Sequence, residues 1–253
     1  MTAFLDALAF LTRLAPARAC SPAAIGRSVP FFAPAGLALG AICTTASCFV
    51  QSFLASRPAF EAANPLDIAL SALFWLGLEI WLTRGLHWDG LADLTDAAGA
   101  PSPRFWEVLK DSRLGVFGAL SLFLVFCGQW SAVSWHLAAG HLGGLVIAPA
   151  WGRACAVWLA ASVHPRDLHS IGGLVRSGVC AKTAVLYAIA ASGAVFLLCG
   201  LGWEWWQGLT LLLVQYGLTR AFVRLAREKG GFSGDFLGAA IELGQLWFLL
   251  AVV

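Results

Sequence analysis

A chain of 253 residues that is 59% apolar and only 12% charged, with a mean hydropathy of +0.78, cannot clothe a soluble globule in polar groups. The same figures exclude a disordered chain and a nucleic-acid-coating protein, and a net charge of +2 is too small to single out a partner. The class is therefore integral membrane protein, to which 12 Trp and 17 Phe against a single Met are suited.

The opening MTAFLDALAFLTRLAP has no basic residues ahead of its apolar run and carries Asp6 within it. It reads as an interfacial amphipathic helix, too short to span and unlike a cleaved signal. A bilayer core asks for about 20 apolar residues per helix, and spans are expected over 31–54, 66–83, 115–135, 142–162, 182–201, 205–222 and 236–253. The fourth holds Arg153, the seventh holds Glu242, and the sixth is short enough to tilt or sit shallow.

Basic charge alternates between these spans. Segment 13–30 carries Arg13, Arg18 and Arg27; 84–114 carries Arg84, Arg104, Lys110 and Arg113; 163–182 carries Arg166, Arg176 and Lys182; 219–235 carries Arg220, Arg224, Arg227 and Lys229. Segment 55–65 has Arg57 offset by Glu61, and 136–141 and 202–204 have no Lys or Arg. Basic loops stay in the cytoplasm, so these four segments are expected inside and the C-terminus outside. Asp89, Asp93, Asp96, Asp111 and Asp235 fall in or beside the same segments, which places the chemistry at the cytoplasmic face. The expected fold is all-α: one membrane-embedded domain over 1–253, a polytopic helical bundle of about seven transmembrane helices, an N-terminal interfacial helix and a cytoplasmic carboxylate helix. No internal repeat or inverted half stands out. The seven cysteines (Cys20, Cys43, Cys48, Cys127, Cys155, Cys180, Cys199) form no CxxC pair and read as buried or lipid-facing small hydrophobes.

The most informative stretch is GLHWDGLADLTD, Gly85 to Asp96. Asp89, Asp93 and Asp96 stand at i, i+4 and i+7 and share one helix face. Like charges so stacked repel one another, more strongly near a membrane. A divalent cation among them resolves that repulsion, and carboxylates with waters and substrate phosphates are the usual ligands of Mg²⁺. The alternative is a solvated acidic face, against which the flanking Leu91, Ala92 and Leu94 argue. Gly90 admits a close backbone or ligand. His87 points to the other side of the helix, as a cap, a ligand or a substrate contact.

Arg104, Lys110 and Arg113 follow on the same side and offer phosphate donors, or else positive-inside anchoring. Asp111 between them is a local partner, a further metal ligand or a base. Arg153 is too deep for lipid exposure and must meet an anion inside the bundle, a carboxylate or a bound phosphate. In GGFSGDFLGAAIELGQ, Gly230 to Gln245, a glycine turn around Gly231 and Gly234 opens a helix on which Asp235 and Glu242 share a face. Such a turn suits an anion, whereas Asp235 by itself is equally an N-cap.

GLHWDGLAD with Asp96, then LKDSRLGVFG (Leu109–Gly118), then GGFSGDFLGAAIELGQL (Gly230–Leu246) strongly resemble the cobalamin synthase family, the adenosylcobinamide-GDP ribazoletransferases. FLTRLAP (Phe10–Pro16) and VPFFAPAGLALGAI (Val29–Ile42) are similar to the family's start, so the resemblance covers the whole chain. The chain departs at Ala97, where the family has glycine after the last aspartate, and at Leu14-Ala15-Pro16, where it has Leu-Pro. The resemblance implies a late step of cobalamin biosynthesis in the bacterial cytoplasmic (inner) membrane, dependent on Mg²⁺. Adenosylcobinamide-GDP and α-ribazole, or its 5′-phosphate, give adenosylcobalamin, or its 5′-phosphate, and GMP. A ribose hydroxyl attacks the cobinamide-side phosphorus of the pyrophosphate, a displacement that needs charge neutralisation and in-line positioning. On that reading Asp89, Asp93 and Asp96 hold Mg²⁺, and Arg104, Lys110, Arg113 and Arg153 bind phosphate with help from Gly231, Gly234 and Glu242. The base is Asp111 or Asp235, with His87 the alternative for its ordinary titration near neutrality. Partners are the two substrates and the lipid bilayer, with a homo-oligomer and late cobalamin-pathway enzymes as further candidates and no nucleic acid.

Two rivals are weaker. A CDP-alcohol phosphotransferase resembles DxxDGxxAR followed by GxxxDxxxD, and DGLADLTD lacks both the AR pair and the second motif. A polyanion transporter would place its site near the midplane, whereas the reactive residues here gather at one face.

Overall fold

The computed structural model describes residues 2–16, 21–56, 64–200 and 204–252. Arg18, Cys20, Arg57 and Glu61 lie outside the described residues, as does the side chain of Cys199. With no water in a bilayer core, each apolar run must satisfy its own backbone groups, and helices do so locally. The elements are α1 (Thr2–Leu11), α2 (Pro22–Ser28), α3 (Phe32–Ala55), α4 (Pro65–Leu82), α5 (Leu86–Gly99), α6 (Phe105–Val108), α7 (Val116–Ala139), α8 (Leu142–Ser162), α9 (Ile171–Gly178), α10 (Ala181–Gly200), α11 (Trp205–Glu228) and α12 (Gly234–Ala251). Their starts carry stop and cap chemistry. Asn64 accepts from Leu66 N at 2.9 Å with Pro65 in the first turn, Ser170 accepts from Gly173 N at 3.2 Å, and Glu204 with Gln207 forms a capping box.

Among the described residues six helices are long and apolar enough to cross a membrane, and α9 with α10, bent by 83°, makes a seventh if counted as one span. Six of the expected spans fall on these six helices, and the expected span 182–201 falls on α10, the longer arm of the bent pair. The sixth is not short: α11 runs 24 residues, because its basic end at Arg220–Arg227 continues the helix beyond the apolar run. The first helix does more than lie at an interface, since Ala7, Leu8, Ala9 and Leu11 are buried against the bundle.

Helices α8 and α12 pack together at the centre, with α3 on α8, α4 on α3, and α5 between α12 and α7. The turn from α4 to α5 uses two successive left-handed residues, Arg84 (φ 61°) and Gly85 (φ 65°). From this end of α4 the chain enters α5, which packs beside α12 and α7. Three basic segments meet at that end. Trp106 Nε1 donates to Lys229 O (2.9 Å), Lys229 Nζ donates to Ser102 Oγ (2.9 Å), and Arg166 N donates to Phe232 O (3.0 Å). Cys43 and Cys155 are buried and Cys48 and Cys127 half-buried; Cys180 is exposed, and all five thiols are free.

Candidate active site

Helix α5 brings its acidic face to the amino end of α12. Gly90 makes this possible: a Cβ there would lie 3.0 Å from Asp235 Cα and 3.1 Å from Asp235 O. Asp235 thereby joins the α5 aspartates. The carboxyl of Asp93 is pushed up to about 6, first by partial burial and then by Asp89, Asp235 and Asp96. Among the described residues none of these four carboxylates forms an ion pair with Lys, Arg or His.

The three aspartates of α5 point to two places. Asp89 and Asp93 line an open cavity of about 480 Å³ together with Arg84, Trp88 and Ser112. Asp96 is turned to the amino end of α7, where Oδ2 accepts from Gly115 N (2.7 Å) and Oδ1 from Gly118 N (2.8 Å). Unpaired helix-end amides and the helix dipole both favour a carboxylate there. Among the described residues no group of three or more His, Cys, Asp or Glu side chains is placed to hold a metal ion. Two hard oxygen donors beside open space still suit Mg²⁺, which takes one or two carboxylates and leaves its other positions to water and substrate phosphate.

The basic loop residues are not gathered on these carboxylates. Arg104 is bound to Glu107 (3.1 Å) and Arg113 to Asp111 (2.6 Å), and Lys110 is exposed. The Arg113 guanidinium holds the Asp111 carboxyl down to about 2, which makes it a weak proton acceptor while that pair is formed. Arg84 is the cation that shares a cavity with Asp89 and Asp93, and its Nη2 donates to Thr12 O at 3.3 Å.

Asp235 sits at the start of α12, half-buried, with Oδ2 accepting from Ser233 Oγ at 2.8 Å. Gly231 is fixed by its backbone. Its φ is +133°, and a Cβ would come 2.5 Å from Arg166 N. Gly234 opens α12, where a Cβ would rest in ordinary contact with Ile171 at 3.6 Å. Beside the turn, Arg176, Arg227, His164, Gly230 and Gly231 line a second open cavity of about 310 Å³.

Below the acidic face lies a buried polar ladder. Arg153 is fully buried and meets Glu79 Oε1 at 3.5 Å, Gln245 Oε1 at 3.3 Å and Pro149 O at 3.0 Å. Gln245 Nε2 donates to Gln129 Oε1 (3.1 Å), and Gln129 Nε2 donates to Glu242 Oε2 (2.9 Å). The anion required by Arg153 is thus a protein carboxylate, and Glu242 belongs to the same interior ladder rather than to an open surface. His87 borders it, 3% exposed, with Nδ1 3.8 Å from Glu242 Oε1. Burial first, and the charge of Arg153 second, hold the His87 imidazole well below its usual titration, so it is a weak base.

Glu79 went unread in the sequence although its signal was the one that exposed Arg153 and Glu242: an ionisable residue inside an apolar span. Arg84, Arg176 and Arg227 were read only as loop charge, because linear spacing does not tell which loop basics share a cavity.

The family model described as cobalamin-5-phosphate synthase matches residues 3–253. Relatives named adenosylcobinamide-GDP ribazoletransferase include that of Nitratidesulfovibrio vulgaris strain DP4, 38% identical over 93% of this chain and 90% of its own. That of Nitratidesulfovibrio vulgaris strain DSM 19637 / Miyazaki F is 39% identical over 96% and 92%. That of Klebsiella pneumoniae strain 342 is 35% identical over 99% and 98%. No solved structure matches the chain.

Proposed function

The chain belongs to the cobalamin-5-phosphate synthase family, and from that premise we propose that it transfers the adenosylcobinamide phosphate of adenosylcobinamide-GDP to α-ribazole or its 5′-phosphate, releasing GMP. The observation that supports the site assignment is the seat of Gly90 on Asp235, which brings Asp235 close enough to Asp89 and Asp93 for the three carboxylates to act on one another. Asp89 and Asp93 would hold Mg²⁺, and the chemistry the ion supplies when bound is charge neutralisation on the diphosphate. Arg84 grips a non-bridging oxygen of the donor from the same cavity. Arg176, Arg227 and the Gly230–Gly231 turn, which line the basic cavity, would offer donors to the guanosine end of the substrate.

In the transfer, the ribose hydroxyl oxygen forms a bond to the cobinamide-side phosphorus. The bond from that phosphorus to the bridging oxygen breaks, and GMP departs with the electron pair. Asp235 accepts the hydroxyl proton. Asp96 keeps α5 docked on α7, so that Asp89 and Asp93 hold their places. The site faces the cytoplasm of a bacterial inner membrane, because the segments that build it carry much of the chain's basic charge.

The test is direct: purified protein in detergent, adenosylcobinamide-GDP, α-ribazole, and Mg²⁺ present or chelated. GMP and a cobamide in equal amounts, only with Mg²⁺, are the expected products. Unchanged turnover under chelation removes the metal assignment, and absence of both products with all components present removes the reaction.

A further inference from the structure

Between α1, α3, α5, α8, α9 and α12 lies a cavity of about 90 Å³ that the transfer as derived leaves unused. Its walls are apolar, Phe32, Val175 and Ile241 among them, and three polar side chains border it: Asp89, Asp235 and His87. His87 is 3% exposed, and neither ring nitrogen has a hydrogen-bond partner among the described residues. Its 3.8 Å approach to Glu242 is too long to count as a hydrogen bond. A buried donor without a partner is costly, and here it opens onto apolar space.

Such a cavity fits a ligand with an apolar body and one polar atom. Of the reacting groups, a corrin ring is far too large. Guanine and adenine carry several donors and acceptors that apolar walls would strand. The 5,6-dimethylbenzimidazole of α-ribazole is a flat apolar bicycle whose single nitrogen outside the glycosidic bond accepts one hydrogen bond. At about 90 Å³ it is smaller than the order of 150 Å³ of an apolar cavity that admits benzene, so it takes only the leading edge of the bicycle and leaves the ribose outside. Asp89 and Asp235 stand at its border.

We infer that this cavity is the acceptor-base subsite: it receives the aromatic base of the incoming nucleoside edge-first, with His87 donating to the free ring nitrogen. The inference rests on the transferase reading above and adds to it where the acceptor binds and which bases are accepted.

Two measurements test it. Val175→Phe fills the cavity, and the KM for α-ribazole should rise about tenfold or more while that for adenosylcobinamide-GDP stays unchanged. Wild-type protein is then given the α-nucleosides of 5,6-dimethylbenzimidazole and of 5,6-dimethylindole, which lacks the acceptor nitrogen. The first should be preferred about tenfold or more in kcat/KM, and His87→Phe should abolish the preference. Equal use of both nucleosides by wild type, or an unchanged acceptor KM in folded Val175→Phe, overturns the subsite. If Val175→Phe does not fold, the wild-type comparison still decides. If wild type yields neither GMP nor cobamide, the transferase reading fails. Equilibrium binding of the two nucleosides, followed by their own fluorescence, then judges the cavity alone: tighter binding of the benzimidazole supports it, and equal affinity overturns it.

Discussion

Gly90 rests flat on the backbone of Asp235, leaving 3.0 Å between a Cβ placed on Gly90 and the Asp235 Cα. The neighbour is backbone at a helix start, so it cannot swing aside as a side chain would. Gly90→Ala gains helix propensity yet must move α5 or α12 by a few tenths of an ångström. Overpacking of this kind costs ~1–3 kcal/mol, and misplaced reacting groups lose rate steeply. The expected outcome is a folded protein by circular dichroism in detergent whose GMP release falls about tenfold or more.

Asp93 gives a pH signature. Its carboxyl titrates at about 6, above the ordinary 3.8. A raised folded-state value means that the native protein holds this proton more tightly than the unfolded chain does. Without divalent cation, stability should therefore rise as pH falls through about 6 toward 4, by on the order of 1 kcal/mol after solvent screening. Bound Mg²⁺ opposes the proton, so the Mg²⁺ needed for half-maximal activity should climb as pH drops below about 6. Thermal unfolding and Mg²⁺ titrations across pH check both signs, and Asp93→Asn should flatten both profiles.

Asp96 separates anchoring from metal binding. Each carboxylate oxygen takes one amide of the α7 start, and asparagine has only one oxygen to offer. Asp96→Asn should cost ~1–3 kcal/mol of stability and leave the half-maximal Mg²⁺ concentration unchanged. A Mg²⁺ requirement shifted by about tenfold without loss of stability would return Asp96 to the metal.

The membrane spans were legible because twenty-residue apolar runs and alternating loop charge are local properties of the chain, and the one that is bent, α9 with α10, was not legible as such. The shared face of Asp89 and Asp93 was legible for the same reason, since helical spacing fixes it. The turning of Asp96 toward Gly115 and Gly118 was not, because it depends on where α7 begins relative to α5. Nor was the pairing of Arg113 with Asp111, two residues apart on an irregular segment where helical periodicity says nothing. The burial of His87 was not legible either, since its place on α5 does not tell that α12 packs over it.

Arg153 decides between an interior strut and a substrate ligand. It is fully buried, 3.5 Å from Glu79, with Nε and Nη2 lacking partners among the described residues. Removing one member of a buried pair leaves the other charged and stranded, so Arg153→Met should cost ~3–5 kcal/mol. Replacing both by apolar residues of similar volume is often neutral or stabilising. The double variant Glu79→Leu, Arg153→Met should accordingly recover most of the stability lost, as read from the fraction left folded after heating in detergent. Because Arg153 is fully buried and its Nη1 is committed to Glu79, Gln245 and Pro149 inside the bundle, the double variant should also keep the wild-type KM for adenosylcobinamide-GDP. A well-folded double variant whose donor KM has risen about tenfold would instead place Arg153 on a substrate phosphate, since a lost charge-assisted hydrogen bond is worth that much.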